Sequence, residues 1–191
     1  MQKLMKASDN LKALHSLAEG VSHEAYKCPA GVLTIGIGHT EQKAFPFDNK
    51  SKWTDEQINE AWEFDISQAV DEANRRLFTP VSQGVFDATV DLIFNCGTGC
   101  RTYLNLVNNR NMDLAADALL QWIHVDGKVS LGLVKRRFAD FCLFKGDPSW
   151  DKFINCPATS KDIAPLNALI KQFGYELVPD PTKAFKLVRK E

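Results

Sequence analysis

Glu19, Cys28 and Thr34 fall within one short stretch, Glu19-Gly-Val-Ser-His-Glu-Ala-Tyr-Lys-Cys28-Pro-Ala-Gly-Val-Leu-Thr34. A carboxyl, a thiol and a hydroxyl held together can hand a proton to a leaving atom and place or activate an attacking one. Leu11, Leu14, Leu17 and Ala18 recur at helical spacing and Gly20 supplies a stop, which predicts a helix ending at Glu19. The C-terminal end of a helix carries partial negative charge, and partial burial adds a desolvation cost for a second one. Both favour the protonated carboxyl that a general acid needs. Taken alone, Glu19 reads better as an ordinary solvated glutamate at a helix end.

The elements that would position these groups can be read from the pattern around them. Ala25-Tyr-Lys-Cys28 and Val32-Leu-Thr-Ile-Gly-Ile-Gly38 are short β-prone runs about Pro29-Ala30-Gly31, which predicts a hairpin with Cys28 and Thr34 on opposite arms. Gly36 and Gly38 point to close backbone approach. Residues 40–53 read as a loop. Thr54-Asp-Glu-Gln57 has the form of a capping box, and Ile58, Trp62, Ile66, Ala69 and Ala73 carry one long helix to about Leu77, before the break at Pro80. Ser82 opens a helix that is apolar on nearly every side (Val85, Phe86, Ala88, Thr89, Leu92, Ile93) and stops at Cys96-Gly-Thr-Gly99, the composition of a buried centre. Shorter helices are predicted over 101–108, 113–123 and 131–144. After Gly146, Pro148, Pro157, Pro165, Pro179 and Pro181 interrupt the chain, leaving one helix over 163–173 and an irregular basic tail. A small hairpin beside a mostly helical remainder is an α+β plan of two lobes with a cleft between them.

The bulk figures set limits. With 191 residues, 45% hydrophobic and 25% charged, the chain has an ordinary globular composition. A net charge of −1 does not indicate a strongly basic face for nucleic acid, though it leaves room for local patches. The first ten residues lack the apolar core of a signal peptide, and no apolar run reaches membrane-spanning length, so stable membrane insertion is not expected. Five cysteines, an odd number, argue against a disulfide framework. Cys96 and Cys100 form a C-x3-C, but His15, His23, His39 and His124 are scattered, so these read as structural thiols; no metal or cofactor is expected.

Glu-x8-Cys-x5-Thr, with Cys-Pro-Ala-Gly in the turn and Thr-Ile-Gly-x-Gly-His after it, closely resembles the phage lysozymes of the T4-like and lambdoid endolysin group. The likeness continues through Thr54-Asp-Glu-Gln57 with Asp65, Phe86-Asp-Ala88, Phe94-Asn-Cys-Gly-Thr-Gly99, Leu119-Leu-Gln-Trp122, Gly127-Lys-Val129 and Gly132-Leu-Val-Lys-Arg-Arg137. It covers about residues 10–146, which sets a lysozyme-like catalytic unit over 1–146 and an extension over 147–191 expected to pack on it. The resemblance implies a lysozyme-like fold and hydrolysis of the β-1,4 bond between N-acetylmuramic acid and N-acetylglucosamine in peptidoglycan glycan strands. It places Glu19 on the family's general acid and Thr34 on its catalytic threonine. It also pairs His39 with Asp65 as a structural contact between hairpin and long helix. Cys28 stands where many members have aspartate and a subset has cysteine. A thiol is mostly protonated at neutral pH and an aspartate is not. Cys28 must therefore act as a thiolate, serve as a weaker base, or leave the water to Thr34. Sulfur attack implies retention of configuration, and base-activated water implies inversion.

The biology expected of such a protein is that of a monomer waiting in the host cytoplasm until a separate membrane-permeabilising protein, a holin, lets it reach the wall in the periplasm. The same glycosidase could also be deployed as a toxin against competing bacteria. Two other readings compete. One is a peptidase or amidase with Cys28 as nucleophile and His39 as base, which leaves Glu19 and Thr34 without roles. The other is a wall-binding protein without catalysis. Trp122, Phe86 and Phe94 are expected in the core. Arg136 and Arg137 are expected to pair acidic groups, or else to contact the anionic peptide stems. Lys183, Lys186, Arg189 and Lys190 are read as a solvated basic tail.

Overall fold

The structure is a computed structural model that describes residues 4–28, 31–40 and 43–190. Ser8 starts the first helix, α1 (Asp9–Glu19), by accepting a hydrogen bond from the Leu11 amide, and Gly20, at φ +79°, turns the chain away directly after Glu19. Strand β1 (Ser22–Lys27) then pairs antiparallel with β2 (Leu33–Gly36), Tyr26 opposite Thr34 and Lys27 opposite Leu33, with a bulge between Ser22 and Tyr26. The Pro29-Ala30 part of the expected turn lies outside the described residues. Beyond β2, Gly36 and Gly38 both have positive φ, and His39 folds back to exchange two backbone hydrogen bonds with Ile35 (2.9 and 3.0 Å).

Thr54 and Gln57 form the expected capping box at the start of α2 (Asp55–Arg76), with Asp55 and Glu56 in its first turn and Arg75 and Arg76 in its last, each sign set to favour the helix dipole. The centre of the helical lobe is α3 (Gln83–Cys96), buried from Val85 through Ile93. Around it run α4 (Arg101–Asn108), α5 (Met112–Leu119), a two-residue hairpin of β3 (His124–Val125) and β4 (Lys128–Val129), and α6 (Leu131–Lys145). The helix expected over 113–123 therefore stops at Leu119, and the chain after it turns through Asp126 and Gly127, both at positive φ. Gly84 decides the α3–α6 packing: a Cβ there would sit 1.9 Å from the Leu143 carbonyl oxygen, so only glycine lets the two backbones approach this closely.

The last part of the chain corrects one expectation. Helices α7 (Trp150–Ile154) and α8 (Ala164–Ile170) lead not into an irregular tail but into a six-residue antiparallel hairpin, β5 (Tyr175–Asp180) and β6 (Ala184–Arg189). Pro179 is tolerated because it lies near the strand end, and Asn167 brackets the Leu177 backbone with hydrogen bonds of 2.8 and 2.9 Å, covering part of the β5 edge. Phe138 of α6 stacks on Phe153 at 5.4 Å and meets Tyr175 at 5.6 Å, while Phe141 meets Phe173 at 5.5 Å. The fold is α+β, a small β-hairpin beside a larger helical lobe. Among the described residues no helix is long and apolar enough to cross a membrane.

Candidate active site

Glu19 is the final residue of α1, and Gly38 lies against it: a Cβ on Gly38 would fall 3.6 Å from Glu19 Cβ and 3.9 Å from its Oε2. A Cβ would fit there at ordinary contact distance, so what favours glycine is the φ of +72° by which the loop after β2 turns onto the glutamate. Glu19 also edges an open depression of about 280 Å³ shared with Gly20, Val21, Ser22 and Tyr26. Directly opposed residues of an antiparallel pair present side chains to the same face, so Thr34 belongs to the face of Tyr26. Thr34 is 3% exposed, and its hydroxyl donates to the Val32 carbonyl at 3.0 Å. The Cys28 amide donates to the same oxygen, also at 3.0 Å. One carbonyl thus fixes the backbone of Cys28 and the hydroxyl of Thr34. Cys28 itself is half-buried, and no disulfide joins the cysteines among the described residues.

Arg136 of α6 reaches Glu19, its Nη1 donating to Oε1 at 2.7 Å. The side chain of Glu19 is 37% exposed, partly buried, and a specific cation holds it. Arg136 is one face of a buried cluster. Its Nη2 binds Asp91 Oδ1 at 2.7 Å, Arg137 binds the other Asp91 oxygen at 2.5 Å, and His15 Nε2 lies 2.7 Å from Oδ1. The indole nitrogen of Trp62 donates to His15 Nδ1 at 3.1 Å. An indole N–H only donates, so Nδ1 accepts and the proton of His15 is on Nε2, pointing at Asp91. A continuous line of hydrogen bonds thus runs from Trp62 on α2, through α1 and α3, to Arg136 on α6 and out to Glu19.

The electrostatics of this cluster divide its two aspartates. Burial pushes the Asp91 carboxyl up, but Arg136, Arg137 and the His15 hydrogen bond outweigh it and hold Asp91 well below the usual carboxylate range. Asp140 goes the other way: burial raises it well above its ordinary value, and Arg137 offsets only part of that. Arg137 Nε approaches Asp140 at 3.0 Å, but the contact is not aligned as a hydrogen bond. Burial works against the charge on Arg136, and Asp91 more than compensates, so the guanidinium stays protonated.

His39 pairs with Asp65 through Nδ1 at 2.8 Å. The ring is 1% exposed and packed among Phe45, Phe47 and Trp53 at 5.3–5.8 Å, which gives it a place in the framework and shuts it away from solvent as a peptidase base. Phe86 is buried as expected and Trp122 is half-buried, but Phe94 is 39% exposed, a correction to its assignment to the core. It lies at the end of α3, with its ring 4.9 Å from His15. Sequence spacing did not reveal Asp91, His15 or the reach of Arg136 to Glu19. The available signal was the pair of aspartates, Asp87 and Asp91, in a mostly apolar helix, each of which must find a partner when buried.

Comparison with known proteins gives the class. Residues 16–140 match the phage lysozyme family, and the chain belongs to that family. The endolysin of Acyrthosiphon pisum secondary endosymbiont phage 1 is 32% identical over 66% of this chain and 89% of its own length. The endolysin of Bacillus phage B103 is 34% identical, but the chain spans only 49% of that longer protein. Among solved structures, the endolysin from Escherichia coli O157:H7 phage FAHEc1 superposes with a TM-score of 0.68 at 29% identity, over 75% of this chain and 96% of that one.

Proposed function

We propose that the chain is an endolysin-type muramidase that hydrolyses the β-1,4 bond between N-acetylmuramic acid and N-acetylglucosamine in bacterial peptidoglycan. The observation that carries this reading is Glu19 at the end of α1, with Oε1 fixed by Arg136 and Oε2 left beside Gly38 at an open depression. In the proposal Glu19 is the general acid that protonates the leaving glycosidic oxygen. Cys28 and Thr34, tied to one carbonyl, complete the site on the hairpin side. Thr34 already donates its hydroxyl hydrogen bond to the Val32 carbonyl, which leaves its oxygen as an acceptor able to orient a water or a sugar hydroxyl. The anomeric configuration of the product separates the two roles open to Cys28: retention assigns sulfur attack, inversion assigns activated water.

Within the same proposal the lysozyme unit spans 1–146 and residues 147–191 extend it as one packed body, supported by the Phe138–Phe153 stack. The protein acts as a monomer, held in the host cytoplasm until a separate holin releases it to the wall for cell lysis. The test is wall digestion by wild type and Glu19→Gln with mass analysis of the fragments. Wild type is expected to leave new reducing muramic acid ends, and Glu19→Gln to lose at least about 100-fold in rate, the scale of a lost general acid. Full activity in Glu19→Gln, or cleavage within the peptide stems, would overturn the reading.

A further inference from the structure

Asp91 holds α1 at two points one helical turn apart. His15 Nε2 lies 2.7 Å from Asp91 Oδ1. Arg136 Nη2 donates to the same oxygen, also at 2.7 Å, while Nη1 of that guanidinium donates to Glu19. His15 and Glu19, four residues apart, share a face of the helix. A closed ring results, made of His15, Asp91, Arg136, Glu19 and the single turn of backbone between its two ends. Glu19 is thus placed by its own helix and by a guanidinium that Asp91 ties back to that helix.

Packing alone does not require a histidine here. Leu11 and Leu14 of the same helix are fully buried, and the His15 ring, 1% exposed, lies between Trp62 and Phe94 at 6.0 and 4.9 Å. Burying a polar ring costs free energy unless its nitrogens are bonded, and both are: Trp62 fills Nδ1 and Asp91 takes Nε2. Nor does the charge of Asp91 call for it, since Arg136 and Arg137 already face its two oxygens. What His15 adds is direction. Its Nε2–H is a neutral donor that comes from α1, not from the arginine helix, and it holds the carboxylate against rotation about Cβ–Cγ. Trp62 keeps that donor in place, because a ring flip or a proton moved to Nδ1 would leave the buried indole N–H without an acceptor.

We infer that His15 is a positioning residue: locked as the Nε2–H tautomer by Trp62, it fixes the Asp91 carboxylate, and through it the Arg136 guanidinium and the place of Glu19 Oε1. The inference rests on the muramidase reading for the task of Glu19, and not for the ring of contacts itself. A general acid works only within hydrogen-bond reach of the leaving oxygen, and a misplacement of about 1 Å caused from a distance costs up to about 100-fold in rate. His15 is one of three side chains donating to Asp91, so its loss is a smaller disturbance, of about tenfold.

Two substitutions separate the nitrogens. A glutamine amide nitrogen falls near the place of an imidazole Nε2, and an asparagine oxygen near that of Nδ1. His15→Gln therefore keeps a donor on Asp91, whereas His15→Asn keeps an acceptor for Trp62 and loses that donor. With soluble, uncrosslinked glycan strands and rates taken per folded enzyme, His15→Asn should lower kcat about tenfold at an unchanged KM, and His15→Gln should recover most of it. A residue that served only to satisfy the buried indole would give the reverse order. Nitrogen NMR of the Arg136 guanidinium reads the ring of contacts without turnover: rotation about its Cζ–Nε bond should be slow in wild type and His15→Gln, and faster in His15→Asn. Equal kcat in the two variants, a wild-type kcat in His15→Asn, or unchanged guanidinium rotation in it would each overturn the inference. If wild type releases no reducing ends while the rotation still separates the variants, the muramidase reading fails and the positioning of Glu19 by His15 stands.

Discussion

Two buried histidines, His15 and His39, each 1% exposed, are bound to aspartates, yet the pairs are built differently. His15 uses Nε2 and gives its Nδ1 lone pair to Trp62, while Asp91 is fully buried with two arginines on it. His39 uses Nδ1, sits among aromatic rings, and its Asp65 keeps 20% of its side-chain surface in solvent. One pair is the hub of a charge cluster that ends at Glu19; the other fastens the loop after β2 to α2. The same two side chains thus serve as an electrostatic support in one place and a mechanical one in the other. The difference lies in the burial of the aspartate: Asp91 is shut from solvent with two guanidinium groups on it, and Asp65 stays partly in water.

Asp91→Asn should break the comparison hardest. It keeps the shape but leaves Arg136 and Arg137 buried without their anion, and a cost of about 3–5 kcal/mol is expected in denaturant unfolding. Loss of Glu19-dependent activity should accompany it in whatever fraction remains folded, because Arg136 loses its anchor. The acid limb follows from the sign of the shift. Asp91 is held low in the folded state, so its contribution is complete above the unfolded value of about 3.9 and is lost as pH falls through the lower folded value. Wild type should therefore lose stability below about pH 4, and the variant should show a flatter acid limb in that window. Asp65→Asn, with its carboxyl partly open to solvent, should cost less, about 1.5–3 kcal/mol, the scale of a hydrogen bond to a charged group, and leave the Glu19 cluster intact. A loss as large as that of Asp91→Asn would abolish the distinction between the two pairs.

Legibility in the amino-acid sequence divides along the same line. The place of Glu19 at a helix end and of Cys28 and Thr34 about a hairpin was readable from local patterns, whereas the His39–Asp65 pair came from the family resemblance and not from spacing. The contact between Arg136 and Glu19 spans 117 positions, and nothing local marks it. Asp91 stood in plain view but inside an apolar run, where the hydrophobic pattern drew attention to its neighbours. The last hairpin was hidden for another reason: Tyr175 and Leu177, Phe185 and Leu187 alternate as strand residues should, but the prolines and charges around them suggested irregular chain. Phe94 was assigned inward on its type, while its position at the helix end leaves it partly in solvent.

Trp62→Phe should have a smaller effect, about 1 kcal/mol, for one neutral hydrogen bond lost beneath a histidine that Asp91 still holds. Its value is in the tautomers. In wild type, nitrogen chemical shifts of 15N-labelled histidine should show His15 with its proton on Nε2 and Nδ1 bare, whereas the His39 proton bound to Asp65 should be on Nδ1. Two histidines with the same proton placement would remove the structural difference between the pairs.

Asp140→Asn carries the smallest expected change and the most informative sign. Burial keeps the proton on Asp140 in the folded chain at pH values where the unfolded chain has released it. The folded state then binds more protons, so by linkage stability falls as pH rises from the unfolded value of about 3.9 toward the folded one. Asparagine presents a similar acceptor and donor without that proton balance. The variant should match wild type near pH 4 and equal or exceed it at neutral pH, where wild type has lost part of its margin. If Asp140 were instead an ionised partner of Arg137, asparagine would cost about 3–5 kcal/mol at neutral pH, as for Asp91. Urea unfolding at the two pH values separates these outcomes, and only the first leaves Asp91 as the anion that both arginines share.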